Sequence, residues 1–379
     1  MGSIDWDRRL FDELIPLPDG TSYNAYLLRS NGMAAMIDTD DPAKKAELLD
    51  QLAELERLDY LIIQHVEQDH SGSAPAVLER FPNAQILCSV KAKTMIVDHL
   101  AIPEEKITTV EDGETLSLGD WTLEFIAAPW VHWPETMLTY LREEKVLFTC
   151  DLFGSHLATD ELFASGNAKV SDAAKRYYAE IMMPFASQIR AHLEKLAPYE
   201  IGLICPSHGP VRDDPHAIVD AYRHWAADPP KNLVLIPYVS MHESTALMVD
   251  HLVTALTDRN IHVEPFNMTL TDLGDYAAHL VDAATVVFAT PTVLVGPHPT
   301  IVFAAYLTGA LRPKLKYAGV IGSFGWGSQA AERAQSLCAN LKTEWFDPVM
   351  TKGLPKAETY EALDALADAI AEKHRILET

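Results

Sequence analysis

Short apolar runs bounded by polar residues punctuate the chain up to about residue 228. Tyr60–Gln64, Thr122–Ala127, Lys145–Thr149 and Ile201–Cys205 are too short for helices and read as buried strands. Between some of them apolar positions recur at helical spacing, as in Ala43–Leu55 and Val170–Leu196. This pattern predicts a mixed α/β fold with a sheet-rich core. Beyond Lys231 the alternation is cleaner. Strand patterns at Asn232–Val239, Ile261–Phe266, Thr285–Ala289, Lys316–Ile321 and near Trp345 are each followed by a helical pattern, beginning near Ser244, Thr271, Pro299, Ser328 and Thr359. Five such βα units predict a doubly wound parallel sheet.

The change of rhythm falls at Ala227-Asp228-Pro229-Pro230-Lys231, where two prolines separate a helical pattern from a new strand. We therefore expect domains at 1–228 and 232–379 joined by a linker at 229–231. Composition narrows the functional classes. The 54 acidic and 30 basic residues leave a formal charge of −24, which disfavours nucleic acid because phosphates are repelled. No apolar run reaches the roughly 18 residues of a membrane span, and the first residues lack signal-peptide character. A cytoplasmic location is expected. The four cysteines are isolated, so neither an iron–sulfur cluster nor a fused rubredoxin module is built in, and electrons for redox chemistry come from elsewhere.

The densest chemistry lies at His65-Val66-Glu67-Gln68-Asp69-His70, directly after the strand Tyr60–Gln64. His132, Asp151 and His208 each follow another predicted strand. Strand ends of like sense converge on one rim, where sites are built. A lone histidine such as His132 or His208 is usually structural, but four ligand types in six residues are not an ordinary turn. Seven ligands are enough for two metals and too many for one. Four imidazoles and three carboxylates without thiolate suit iron or manganese, and zinc also fits. Asp151 can bridge two ions through its two oxygens, leaving three residues for each and open positions for a diatomic molecule.

The HxxxDH framework with later His, Asp and His resembles the metallo-β-lactamase superfamily, whose hydrolases generally carry histidine where Glu67 stands. Glu67, together with His132-Trp133-Pro134-Glu135, Asp151-Leu152-Phe153-Gly154 and Pro206-Ser207-His208-Gly209, is similar to the flavodiiron proteins. So are Ile4-Asp5-Trp6-Asp7, Thr21-Ser22-Tyr23-Asn24-Ala25-Tyr26 and Arg176-Tyr177-Tyr178-Ala179. The likeness runs through essentially the whole chain in order. It implies an N-terminal metallo-β-lactamase-like αββα sandwich followed by a flavodoxin-like doubly wound sheet. It also implies one iron held by His65, Glu67 and His132, and another by Asp69, His70 and His208, with Asp151 as bridge. Some members turn the ring matching His70 away from the metal, and the first hairpin is expected to be abbreviated. Tyr177 and Tyr178 are candidates for relaying protons, or else for packing in the core.

In a flavodoxin-like sheet of order 2-1-3-4-5 the loops after strands 1, 3 and 4 meet at the switch point. The first, with Ser240, His242, Ser244 and Thr245, places hydroxyls at a helix N-terminus and suits a phosphate; a simple helix cap is the alternative. Glu243 is a departure there, and its carboxylate is expected to face solvent. The second runs through Thr290, Pro291, Thr292, Val293, Leu294, Val295 and Gly296, with apolar residues where the family often has polar ones. The third, Ser323, Phe324, Gly325, Trp326 and Gly327, sets a large ring between glycines and could cover a flat cofactor. No GxGxxG follows any strand, which favours FMN over a dinucleotide.

These readings imply an oxidoreductase that reduces dioxygen to water, nitric oxide to nitrous oxide, or both, with electrons passing through FMN. The resemblance points to rubredoxin or reduced deazaflavin F420 as donor, and to a head-to-tail homodimer or a dimer of dimers. Two alternatives remain at this stage: a flavodoxin-like electron carrier with a non-catalytic N-terminal half, and a zinc hydrolase of the metallo-β-lactamase type.

Overall fold

A computed structural model of the chain describes residues 1–227 and 229–378. Asp228 at the expected domain boundary and the terminal Thr379 lie outside the described residues. The chain forms two compact units, Met1–Tyr178 with Phe185–Ala226, and Ala179–Pro184 with the segment from Ala227 onward.

The first unit is an αββα sandwich built on two five-stranded sheets. One has the order Tyr26–Ser30, Met33–Ile37, Tyr60–Ile63, Gln85–Ser89, Ile107–Val110; the other runs Thr115–Leu118, Trp121–Ala127, Met137–Leu141, Val146–Cys150, Leu203–Pro206. The continuous apolar run at Leu61-Ile62-Ile63 is explained by burial on both faces. Ile62 joins Leu28, Ile37 and Leu87 against Leu123, Phe125, Met137 and Phe148 of the opposing sheet. Leu61 and Ile63 face the other way, packing with Leu48, Leu52, Val77, Ala92 and Ile96, most of them from the covering helices.

Strand direction positions the site. Trp121–Ala127 is antiparallel to Met137–Leu141, which is antiparallel to Val146–Cys150, and that strand is parallel to Leu203–Pro206. Three of these strands therefore end on the same rim, delivering the segments that carry His132, Asp151 and His208. Tyr60–Ile63 is parallel to both of its neighbours and delivers residues 65–70. A hydrogen bond from Met137 N to the Gln64 carbonyl, 2.9 Å, ties the two rims together.

The helical pattern Val170–Leu196 does not form one helix. It breaks into Val170–Tyr177, a wide turn at Tyr178–Met182, a tight turn at Met183–Phe185 and a second helix, Ala186–Leu196. Pro184, which has no N–H to give and crowds the preceding turn, accounts for the interruption. Likewise Ala43–Leu55 contracts to a short turn at Pro42–Lys44 and the helix Lys45–Gln51. A small hairpin pairs the two-residue strands Leu10–Phe11 and Ile15–Pro16.

The second unit is a parallel sheet in the order His262–Asn267, Lys231–Tyr238, Ala283–Val293, Tyr317–Phe324, Glu344–Trp345, the 2-1-3-4-5 arrangement. One face packs Val234, Ile236, Val287 and Ile321 against helices Ser244–Thr257 and Ala357–His374 through Met248, Leu252, Leu363 and Ile370. Among the described residues no helix is long and apolar enough to cross a membrane. All four cysteines are buried and free.

At the centre of this sheet a Cβ built on Gly322 would lie 2.0 Å from the Thr290 carbonyl oxygen. The obstacle is backbone, so it cannot swing aside. Gly322→Ala is expected to destabilise the second unit by about 3 kcal/mol, as overpacking does, and thermal unfolding checks it; a change below about 0.5 kcal/mol, the usual range for surface substitutions, would contradict this packing.

Candidate metal centre and flavin loops

All seven proposed ligand residues gather at the rim of the sandwich, and their inward atoms divide into two groups. On one side the Nε2 atoms of His65 and His132 lie 3.1 and 2.9 Å from Glu67 Oε2, and 3.6 and 3.5 Å from Asp151 Oδ2. On the other, His70 Nε2 lies 3.3 Å from Asp69 Oδ1 and 3.1 Å from Asp151 Oδ1. His208 Nε2 lies 3.1 Å from Asp69 Oδ2 and 3.4 Å from Asp151 Oδ1. Asp151 thus offers one oxygen to each group. The ring of His70 is turned inward.

Each imidazole whose outer nitrogen has a partner is fixed by an acceptor. His65 Nδ1 donates to Glu135 Oε1 at 2.7 Å, and His208 Nδ1 to the Ser22 carbonyl at 2.7 Å. These bonds keep a hydrogen on Nδ1 and turn Nε2 inward, so that a metal displacing the Nε2 proton would find the ligating tautomer. Glu135 also accepts from Val66 N at 3.0 Å, so it holds the backbone on which the cluster begins. Asp151 Oδ1 accepts from Tyr177 Oη at 2.8 Å and from Ser207 Oγ at 3.0 Å.

The ligand set fits a metal pair on a second count. Both oxygens of Asp69, Nε2 of His70 and Oδ2 of Asp151 are buried without a well-directed hydrogen bond. Buried polar atoms are nearly always satisfied, and cations between the groups would satisfy these. Burial opposes charge on His65, but Glu135, Glu67 and Asp151 outweigh it and raise its pKa to about 10. The same competition, won by Asp151 and Asp69, raises His208 to about 9. Burial works against the Glu67 carboxylate too, yet His132 and His65 hold its pKa well down.

Tyr177 and Tyr178 separate. Tyr177 meets Asp151, and burial, followed by the charge of Asp151, raises its pKa well above the ordinary phenol value. Tyr178, about 100° further round the helix, packs on Tyr222 and Trp225 at ring distances of 5.2 and 5.4 Å. The structure does not bring it to the cluster. Three residues beside the cluster have roles that the sequence does not assign. Glu135 stands at the end of the His132-Trp133-Pro134-Glu135 motif with no role marked by its spacing. His156 bonds Thr21 Oγ1 through Nδ1 at 2.9 Å and lies 4.9 Å from the His208 ring. Asp12, on the small hairpin, has its pKa raised to about 6 by burial and by Glu67 and Asp69. His156 shares the strand-end loop of Asp151, a positional signal that was present; Asp12 carried none.

The three flavin loops end neighbouring strands of the second sheet, where Tyr238 pairs with Ala289 and Pro291 with Ser323. Ser240 Oγ accepts from Ala246 N at 3.1 Å in the first turn of helix Ser244–Thr257, and Thr245 is buried 3.4 Å from Ser323 Oγ. His242 and Glu243 are exposed, and Glu243 has φ +66°. Hydroxyls around this helix start suit a phosphate. Thr290 Oγ1 accepts from His298 N, and Thr292 Oγ1 lies 2.8 Å from Ser328 Oγ. Val293 pairs with Gly296, closing a hairpin whose tip residues, Leu294 and Val295, have φ +48° and +70°. Such angles are uncommon outside glycine and rare for a β-branched residue. Beyond Phe324, Cβ atoms built on Gly325 and Gly327 would meet nothing within 4 Å, and Trp326 between them is 90% exposed, as is Leu294. Exposed apolar side chains thus stand on the loops that carry the hydroxyls, which suits a flavin.

Residues 21–209 match the family described as ODP family beta lactamase. The nitric oxide reductase of Moorella thermoacetica is 34% identical over 353 residues, covering 91% of this chain and 88% of that one. Among solved structures, rubredoxin oxygen:oxidoreductase from Desulfovibrio gigas superposes with a TM-score of 0.95 at 31% identity, over 100% of this chain and 97% of that one. The flavodiiron protein from Giardia intestinalis gives 0.89 at 27% identity, over 98% and 95%.

The shifted groups set a pH dependence in metal-free protein. A raised imidazole pKa adds stability that is complete below pH 6.5 and lost as pH climbs through about 9 to 10. The lowered carboxyls of Glu67 and Glu135 add stability present above pH 4.5 and lost as pH falls. Melting temperature without metal is therefore expected to peak between about pH 5 and 6.5 and to decline towards pH 10. A flat profile from pH 6.5 to 10 would show that these pairings contribute nothing.

Proposed function

The chain belongs to the flavodiiron proteins, and from that membership we propose that it reduces dioxygen to water, nitric oxide to nitrous oxide, or both. One observation carries the reading: two matched sets of imidazole and carboxylate share opposite oxygens of Asp151. His65, Glu67 and His132 would hold one iron and Asp69, His70 and His208 the other, with Asp151 offering an oxygen to each side. Ser240, Ser244 and Thr245 would hold the FMN phosphate, while Thr290–Gly296 and Ser323–Gly327 would border its ring. When bound, the iron pair supplies a redox centre for a diatomic molecule and FMN supplies electrons to it.

The protein's own residues orient and protonate. Glu135 and the Ser22 carbonyl fix two imidazoles in the ligating tautomer. Tyr177 and Ser207 hold one oxygen of Asp151, so the carboxylate cannot rotate away from either group. Tyr177 keeps its proton at neutral pH because burial and the nearby carboxylate disfavour the phenolate. It thereby keeps a donor 2.8 Å from the bridge. The external donor is rubredoxin or reduced deazaflavin, and the assembly a head-to-tail homodimer or dimer of dimers in the cytoplasm, with the flavin loops of one copy beside the metal residues of the other.

Anaerobic stopped-flow of the reduced, iron- and FMN-loaded protein against each gas tests the activity. Fast flavin reoxidation by at least one gas is expected, and slow reoxidation by both would refute it. Asp151→Ala is expected to lower the iron content and to slow turnover about 100-fold, at the upper end of losses around metal sites, measured by elemental analysis and the same assay. Retention of two irons per chain in that variant would exclude Asp151 as the bridge.

A further inference from the structure

Arg212 is a buried cation whose partners are neutral. The residue is 4% exposed. Its Nε and Nη2 donate to the Phe153 carbonyl at 3.2 and 3.0 Å, and Nη2 also reaches Ser155 Oγ at 3.3 Å. Taking a guanidinium out of water is costly unless its donors are well used.

Both partners lie on the loop that carries Asp151. That loop and the strand end that feeds it hold two non-glycine residues in left-handed backbone, Phe153 at φ +71° and Cys150 at φ +48°. Strain of this kind persists only where the surroundings over-determine it. Here the Phe153 carbonyl is gripped by Arg212 and the Phe153 N–H donates to Tyr222 Oη at 3.2 Å. Arg212 is equally anchored at the other end. Its backbone exchanges hydrogen bonds with Ile204, at 2.8 and 3.1 Å, in the strand that leads to His208. Between the two, Ser155 N donates to the His208 carbonyl at 3.1 Å. Gly209 approaches so closely that a Cβ there would lie 2.1 Å from Ser155 Oγ. The planar fork of arginine can bond a carbonyl and a hydroxyl at once, which an ammonium on a flexible stem does less well.

We propose that Arg212 is a positioning residue for the metal pair: it clamps the Asp151 loop onto the His208 loop, so that the bridging carboxylate and the second ion's imidazole keep a fixed separation. This rests on the di-iron reading above. It assigns to Arg212 the affinity of the ion held by Asp69, His70 and His208, and the coupling between the two ions.

The test is anaerobic titration of metal-free protein with ferrous ion, followed by oxidation and paramagnetic resonance spectroscopy. Wild type is expected to bind two ions per chain and to give a spin-coupled, resonance-silent ferric pair. Arg212→Gln, which keeps a donor but loses the fork, is expected to bind the first ion as wild type does and the second at least tenfold more weakly, the range typical of groups that orient ligands. Its ferric form is expected to show the resonance of an uncoupled ion. A lowered melting temperature with both affinities and the coupling intact would overturn the proposal, because that is what a purely structural arginine does. Should Arg212→Gln fail to fold, Ser155→Ala is read in the same way: a second ion bound severalfold more weakly supports the clamp, and unchanged affinity overturns it. Wild type that binds fewer than two ions would instead bring down the di-iron reading itself.

Discussion

The first unit depends on how buried charges are paired at its rim. Three carboxylates and four imidazoles crowd into a space where each alone would be expensive, and Asp151 is the member that all the histidines approach. Its two oxygens divide the set into halves, and the surrounding fold can be understood as the means of bringing those halves together. Three strands of one sheet end in the same sense, a fourth from the facing sheet delivers residues 65–70, and a backbone hydrogen bond from Met137 to Gln64 joins the two edges.

Much of this was legible in the sequence because it depends on local pattern. The run Leu61-Ile62-Ile63 marks a strand buried on both faces, and the ligand cluster that follows has no packing explanation. Regular βα alternation marks the second sheet as parallel and doubly wound, whereas its 2-1-3-4-5 order is what the family resemblance implies and the structure has. Less legible were features set by contacts between distant segments. Whether Tyr177 or Tyr178 faces the site depends on where a helix is interrupted, and Pro184 marks that interruption only loosely. Asp12 approaches Glu67 from a hairpin with two-residue strands, too small to have a periodicity. The part played by Glu135 depends on a partner 70 residues away.

The flavin loops show a different compromise. Their hydroxyls are tied into the scaffold through Thr290, Thr292 and Thr245, while the tips at Leu294 and Trp326 stand out into solvent. Apolar residues in left-handed backbone at a hairpin tip are poor choices for an isolated turn, where Asn-Gly would serve better. Local conflicts of this sort concentrate at functional sites.

The cysteines complete the picture from an unexpected side. Cys150 precedes Asp151, and burial, the largest influence on it, pushes its pKa well above the ordinary thiol value. Cys88, Cys205 and Cys338 are pushed up to about 12 by the same cause. Oxidants and nitrosating agents attack thiolate, not thiol. Burial thus keeps all four cysteines as thiols, Cys150 among them, one residue from Asp151 at the centre of the cluster.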